Sequence, residues 1–264
     1  MKLFVALTIA TAGTVVAAEP AQHIDIGKLP KQATVIEDII VPNSSEVFGV
    51  LDKLGSPNWH EVLRSVKPEA PGARPQTALL LGTVIAEGFI AVETQESEEV
   101  KKIGRNVLDL ANAINVRKAV VARSKAIIDY ADKKDWPRVR KELDGAQADV
   151  KQAMSELHDE ELAQLVSLGG WLRGTEALTQ VVKKNYTKDG AELLHQPSLL
   201  DYFEHRLNGM SDRLKKDEVV AKIQKHLPEI RPLIGEANSV ISSKSVDQIN
   251  AIVGDLVKAI NSKE

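Results

Sequence analysis

The sequence predicts an all-α protein, a multi-helix bundle of about eight to ten helices with antiparallel neighbours, set behind a cleaved N-terminal signal peptide. Three observations carry that expectation. Hydrophobic residues make up 43% of the chain but aromatics only 4%, so the core must be filled by Leu, Val, Ile and Ala, a mix that favours helices. Apolar residues recur three and four apart through most of the chain beyond residue 78, with few Gly-Asn or Asp-Gly turns between alternating runs. Cysteine is absent, so an exported chain must hold its fold by burial alone. It also has no disulfide, thiolate metal site, thiol-attached haem or lipid-modified cysteine. A mature length of about 250 residues suffices, since such a chain buries roughly three quarters of its unfolded surface.

Residues 1–18 read as the signal peptide. Lys2 is a minimal positive region, Leu3 to Val16 is almost uncharged and apolar, and Val16-Ala17-Ala18 is the small-residue pattern a signal peptidase recognises. The run is diluted by Thr8, Thr11, Gly13 and Thr14 and falls short of the 18 or so apolar residues a retained anchor needs. Export is therefore expected, to the periplasm of a Gram-negative bacterium or otherwise to the extracellular space. Within the mature chain the most apolar stretch, Ala78 to Val92, is interrupted by Glu87, so no membrane span is expected there.

Residues 19–42 mix polar residues, prolines and a short apolar group, and read as an extended or irregular arm. Residues 43–66 read as short helices. Asn43 with Glu46 resembles a capping box, and Ser56-Pro57 resembles an N-cap followed by proline at N1, ahead of an apolar face of Trp59, Val62, Leu63 and Val66. Residues 67–75 hold three prolines and a glycine and read as a linker. Residues 76–264 form the main bundle.

Within the bundle, Ala78 to Thr94 is a strongly apolar helix. The next is marked by Val100, Ile103, Val107, Leu108, Ala111 and Ile114, and a third by Val120, Val121, Ile127 and Ile128, ending at Lys133-Lys134 where positive charge suits a C-terminus. Asp135 caps a fourth, in which Val139, Leu143, Ala146, Val150, Ala153 and Leu157 make a seam of alternating four- and three-residue steps. Leu162 to Tyr186 is apolar nearly all round, as a central helix should be. Pro197 or Ser198 opens a helix through Leu207, and Pro228 and Pro232 must end or kink the one after it. The last carries a Ser245/Gln248 capping box and the stripe Ile249, Ile252, Val253, Leu256, Val257 and Ile260.

The chain carries no catalytic signature: no Gly-x-Ser-x-Gly elbow, no His-Glu-x-x-His and no glycine-rich phosphate loop. No cofactor is implied. The formal charge of −3 becomes −4 when Lys2 leaves with the signal, and the cations are spread along the helices, so nucleic acid is not expected as a partner.

The most unusual segment is Gly169 to Glu176, whose three glycines cost about 1 kcal/mol each inside a helix. Either Gly170 and Gly174 line a close helix contact, or Gly169-Gly170 breaks the helix and aims Trp171 at a cavity. Arg173 and Glu176 lie on the same side as Leu162, Leu165, Val166 and Gly169, so they can pair in a partly buried setting. They form an internal ion pair, or with Trp171 they border a ligand site in which Arg173 clamps a carboxylate or phosphate. Glu87 projects with Gln76, Thr83 and Thr94 on a stripe expected to be half exposed.

A metal site is the alternative. Glu192-x-x-His195 matches the element that di-iron bundles use twice, and Asp201 and His205 are four apart on one helix face. The sequence thus points to an exported, soluble helical bundle with a non-catalytic ligand-binding or structural role, or else to a metal protein built on Glu192, His195, Asp201 and His205.

Overall fold

The computed structural model describes the backbone of residues 34–36 and 39–41 and the whole of residues 57–64, 69–236 and 239–262. The chain divides into residues 1–31 and 32–264, and every described residue belongs to the second unit. The signal peptide, the start of the arm and the helix expected after Asn43 lie outside the described residues. Within the expected arm, Thr34–Ile36 (β1) pairs antiparallel with Ile39–Val41 (β2), Thr34 opposite Val41.

The rest is an all-α bundle. Its first five helices are long: Arg74–Thr94 (α1), Ser97–Ala113 (α2), Arg117–Asp132 (α3), Trp136–Glu156 (α4) and Glu160–Lys184 (α5). Shorter helices follow at Lys188–Glu192 (α6), Pro197–Gly209 (α7), Asp212–Lys215 (α8), Glu218–His226 (α9) and Arg231–Ile234 (α10), and Ser243–Asn261 (α11) closes the chain. Pro228 sits in a 3-10 turn, Leu227–Ile230, that separates α9 from α10.

The corners between the long helices are only two to three residues and turn on left-handed residues that are not glycine: Gln95, Asn115, Lys134 and His158. At three of them the chain closes with a bond reaching back five residues, Val116 N–H to Ala111 O at 2.8 Å, Asp135 to Tyr130 at 2.9 Å and Asp159 to Met154 at 2.8 Å, the Schellman arrangement that ends a helix and satisfies its last carbonyls. Four such reversals return the chain to its starting direction, so α5 runs parallel to α1, with Arg74 paired to Asp159 at one end and Glu87 to Arg173 near the other. Consecutive long helices are antiparallel. So is α11 on α5, where Asn250 bonds Thr179 and Lys183 pairs with Asp247.

The α1/α5 pair is the centre of the core. Every residue of α1 from Gln76 to Val92 is buried, which explains why its apolar character has no face. Backbone meets backbone here: a Cβ on Gly82 would lie 2.8 Å from Gly170 N and closer still to the Val166 carbonyl oxygen, and a Cβ on Gly169 would lie 2.9 Å from the Leu79 carbonyl carbon. The helix does not break at Gly169-Gly170. The close-contact explanation is the right one, with Gly82 as the unforeseen partner, while Gly174 has open space within 4 Å and takes no part in it. Gln76 binds the other end of the chain, its amide reaching the Ile260 and Ser262 carbonyls at 3.3 and 2.8 Å and so capping α11.

Several local expectations change. No helix follows Pro57: residues 59–61 make one 3-10 turn, held from outside by tertiary contacts described below. The linker ends at Ala73, because Pro75 sits in the first turn of α1, where its missing N–H costs nothing. The α4 seam drifts after Val150, since a straight helix turns every 3.6 residues and not 3.5; Met154 is buried in place of Ala153, and Leu157 stands 50% exposed past the helix end. Ser242, not Ser245, caps α11, its hydroxyl accepting from Ser245 N–H, and Ile252 is only half buried. By length and composition alone, the 21-residue α1 is also long and apolar enough to cross a membrane, beyond what Ala78–Val92 suggested; 89% of its apolar window is buried in the bundle.

Candidate functional site

The parallel approach of α1 and α5 decides which polar groups meet. Five residues beyond Gly82 on α1 comes Glu87, and four beyond Gly169 on α5 comes Arg173, so the two side chains face each other beside the close backbone contact of the two helices. Arg173 Nε donates to Glu87 Oε2 at 2.6 Å, and Nη1 lies 3.4 Å from Glu176 Oε2 one turn along the same helix. Its remaining nitrogen, Nη2, donates to the Val62 carbonyl at 2.6 Å. Arg173 and both glutamates are each 1% exposed. Glu87 is therefore fully buried, and the half-exposed stripe expected for it does not exist: Thr83 turns back to the Leu80 carbonyl and Gln76 caps α11.

Residues 57–64 complete the cluster from outside the helices. Arg64 contributes twice, its backbone N–H donating to Glu87 Oε1 and its guanidinium to Glu176 Oε1. Trp59 and Val62 are buried beside it. Two arginines and two glutamates thus neutralise one another, and the spare guanidinium nitrogen has a backbone carbonyl. Burial holds the Glu176 carboxyl above its ordinary value, against the pull of Arg173 and Arg64 and with a further push from Glu87. That balance is what a mutually desolvated ion cluster produces.

Trp171 does not join it. Its indole faces away, donating to Gln196 Oε1 at 3.1 Å and stacking at a tilt on Phe203, 5.4 Å between centroids. There it borders a crevice with Thr175, Leu178, Leu200, Ile234 and Ile249, whose volume of about 10 Å³ has room for no more than about one water. Neither Arg173 nor Glu176 reaches that crevice. Of the three residues expected to share a cavity, two are sealed inside the core and the third lines a gap too small for a ligand.

The four alternative ligands do not converge either. His195 Nδ1 approaches Glu192 Oε1 at 3.4 Å, Asp201 is taken by Arg231 at 2.5 Å, and His205 faces solvent. Among the described residues no three His, Asp or Glu side chains gather as a metal site would need.

The members missed by sequence reasoning are Glu87, Arg64 and the Val62 carbonyl. Only Glu87 left a signal, as the single charge in the apolar stretch from Ala78 to Val92 that had to find a buried partner. Fold and cluster together define an all-α bundle with a buried, internally paired ion cluster at its centre. Comparison with known protein families, curated proteins and solved structures finds no match to this chain.

Proposed function

We propose that this chain is an exported, soluble, non-catalytic protein whose role is structural or interactive, and that the Arg173 cluster is part of its scaffold. The observation that supports this reading is the engagement of Arg173: every nitrogen of a side chain 1% exposed is directed at Glu87, Glu176 or the Val62 carbonyl. A guanidinium meant to clamp a ligand carboxylate or phosphate needs free donors facing a cavity. The reading includes cleavage after Ala18, no nucleic-acid partner and no membrane span in the mature chain.

Native mass spectrometry of the full chain expressed with its own N-terminus tests it in one experiment. The expected species begins near Glu19 and carries no stoichiometric adduct. A co-purifying small molecule would instead support ligand binding, and a metal ion at one per chain would support the Glu192, His195, Asp201 and His205 alternative. Retention of residues 1–18 would overturn export by cleavage.

A further inference from the structure

We infer that residues 57–64 form a detachable strap, which opens as a unit over the Glu87–Arg173–Glu176 cluster while the bundle beneath stays folded. This does not rest on the proposed function. Within the described residues the strap's own structure is a single 3-10 turn, so its release breaks no helical ladder there. Its inner face holds to the bundle through Trp59, Val62, the Val62 carbonyl and the two Arg64 contacts. Its outer face adds a contact of His60 with Glu96 and an ion pair of Glu61 with Lys184, in which each side chain is about half exposed; such exposed contacts contribute little.

What lies beneath keeps its central contacts without the strap. The Gly82/Gly169 approach involves no strap atom, and Arg173 keeps Glu87 and Glu176 when Val62 leaves. Release therefore strands no cation; it admits water to a cluster left with two carboxylates and one guanidinium. Segments of this kind, with few backbone bonds and few apolar anchors, open below the global unfolding free energy. Arg64 is the anchor that sets how often, because within the strap it binds both carboxylates.

Native-state amide exchange of the full chain, followed by mass spectrometry over a series of low denaturant concentrations, tests the inference. The peptide spanning 57–64 should exchange at least about tenfold faster than α1 and α5, at a rate nearly independent of denaturant. Arg64→Gln, which weakens only the closed state, should speed the strap by about tenfold more, and should speed α1 and α5, which exchange through global unfolding from the same ground state, by no more than that factor. Strap amides that share the rate and denaturant slope of α1 and α5 would overturn it, as would Arg64→Gln leaving the strap rate unchanged. Should that variant not fold, Val62→Cys supplies the only thiol in the chain. Its labelling faster than global unfolding supports the strap, and labelling only upon unfolding refutes it.

Discussion

The α1/α5 and α3/α4 contacts use the same two ingredients, a glycine and an arginine held by two acids, for opposite purposes. Between α1 and α5 the glycines bring backbone against backbone, and Arg173 is sealed in with Glu87 and Glu176. Between α3 and α4, Gly145 makes room for the guanidinium of Arg123, which pairs with Glu142 at 3.0 Å and Asp149 at 2.8 Å while 35% exposed. One glycine removes a side chain so that helices can touch; the other removes it so that a solvated side chain can lie across. The residue types alone therefore say little, and what the neighbour is made of decides the energetics.

The largest contrast should come from adding one methyl group. Gly82→Ala and Gly169→Ala place a Cβ into the facing backbone, which cannot move without separating the central helices, so a loss beyond about 4 kcal/mol in chemical denaturation is expected. At Gly145 the obstacle is the far end of Arg123, 2.6 Å from the built Cβ. That end can swing out, and alanine regains about 1 kcal/mol of helix propensity, so Gly145→Ala should fall within about 1 kcal/mol of wild type. Equal losses at Gly145 and Gly169 would break the distinction.

Removing each arginine comes next. Arg173→Met leaves Glu87 and Glu176 buried with less compensation and should cost about 3–5 kcal/mol. Part of that should return when Glu87→Gln and Glu176→Gln are added. Arg123→Met, whose partners can turn to water, should cost under about 1 kcal/mol. A small effect at Arg173 would mean that the cluster is solvated in solution.

These two contacts also separate what could be read from the sequence from what could not. The apolar stripes of α2 and α11 and the i, i+3 pairing of Arg173 with Glu176 are local patterns, set by helical geometry alone. Glu87 lies 86 positions from Arg173, and nothing in either segment specifies that α1 and α5 run parallel in the register that joins them. Gly82 was unremarkable for the same reason. The corners were obscured because Gln95, Asn115, Lys134 and His158 stand where glycine is the usual signal. The α11 start was degenerate: Ser242 and Ser245 are both good caps, three apart, with their hydroxyls 2.9 Å from each other.

Titration sharpens the comparison further. Burial raises the Glu176 carboxyl in the fold above 4.5, and a carboxyl raised on folding contributes stability that is present at low pH and lost as pH climbs through the raised value. The stability of wild type relative to Glu176→Gln should therefore decline as pH rises from about 4.5 toward neutrality. Arg123 is held above its ordinary value by Asp149 and Glu142, so it stays a cation over that whole range. A difference between wild type and Glu176→Gln that grows with pH would reverse the sign assigned to burial at this site.

The smallest effects concern glycine where it is idle and its absence where it would fit. Gly174 lies inside α5 with nothing within 4 Å of a built Cβ, so Gly174→Ala should gain about 0.5–1 kcal/mol from helix propensity alone. Lys134 has φ of 55° at the α3/α4 corner, a conformation that costs an L side chain about 1 kcal/mol or more. Lys134→Gly relieves that strain but enlarges the freedom of the unfolded chain, which offsets part of the gain. A net stabilisation of about 0.5 kcal/mol is expected from denaturation midpoints. If Lys134→Gly destabilises while Gly174→Ala stabilises, the unfolded-state entropy outweighs the strain, and the left-handed corners of this bundle are less costly than their geometry implies.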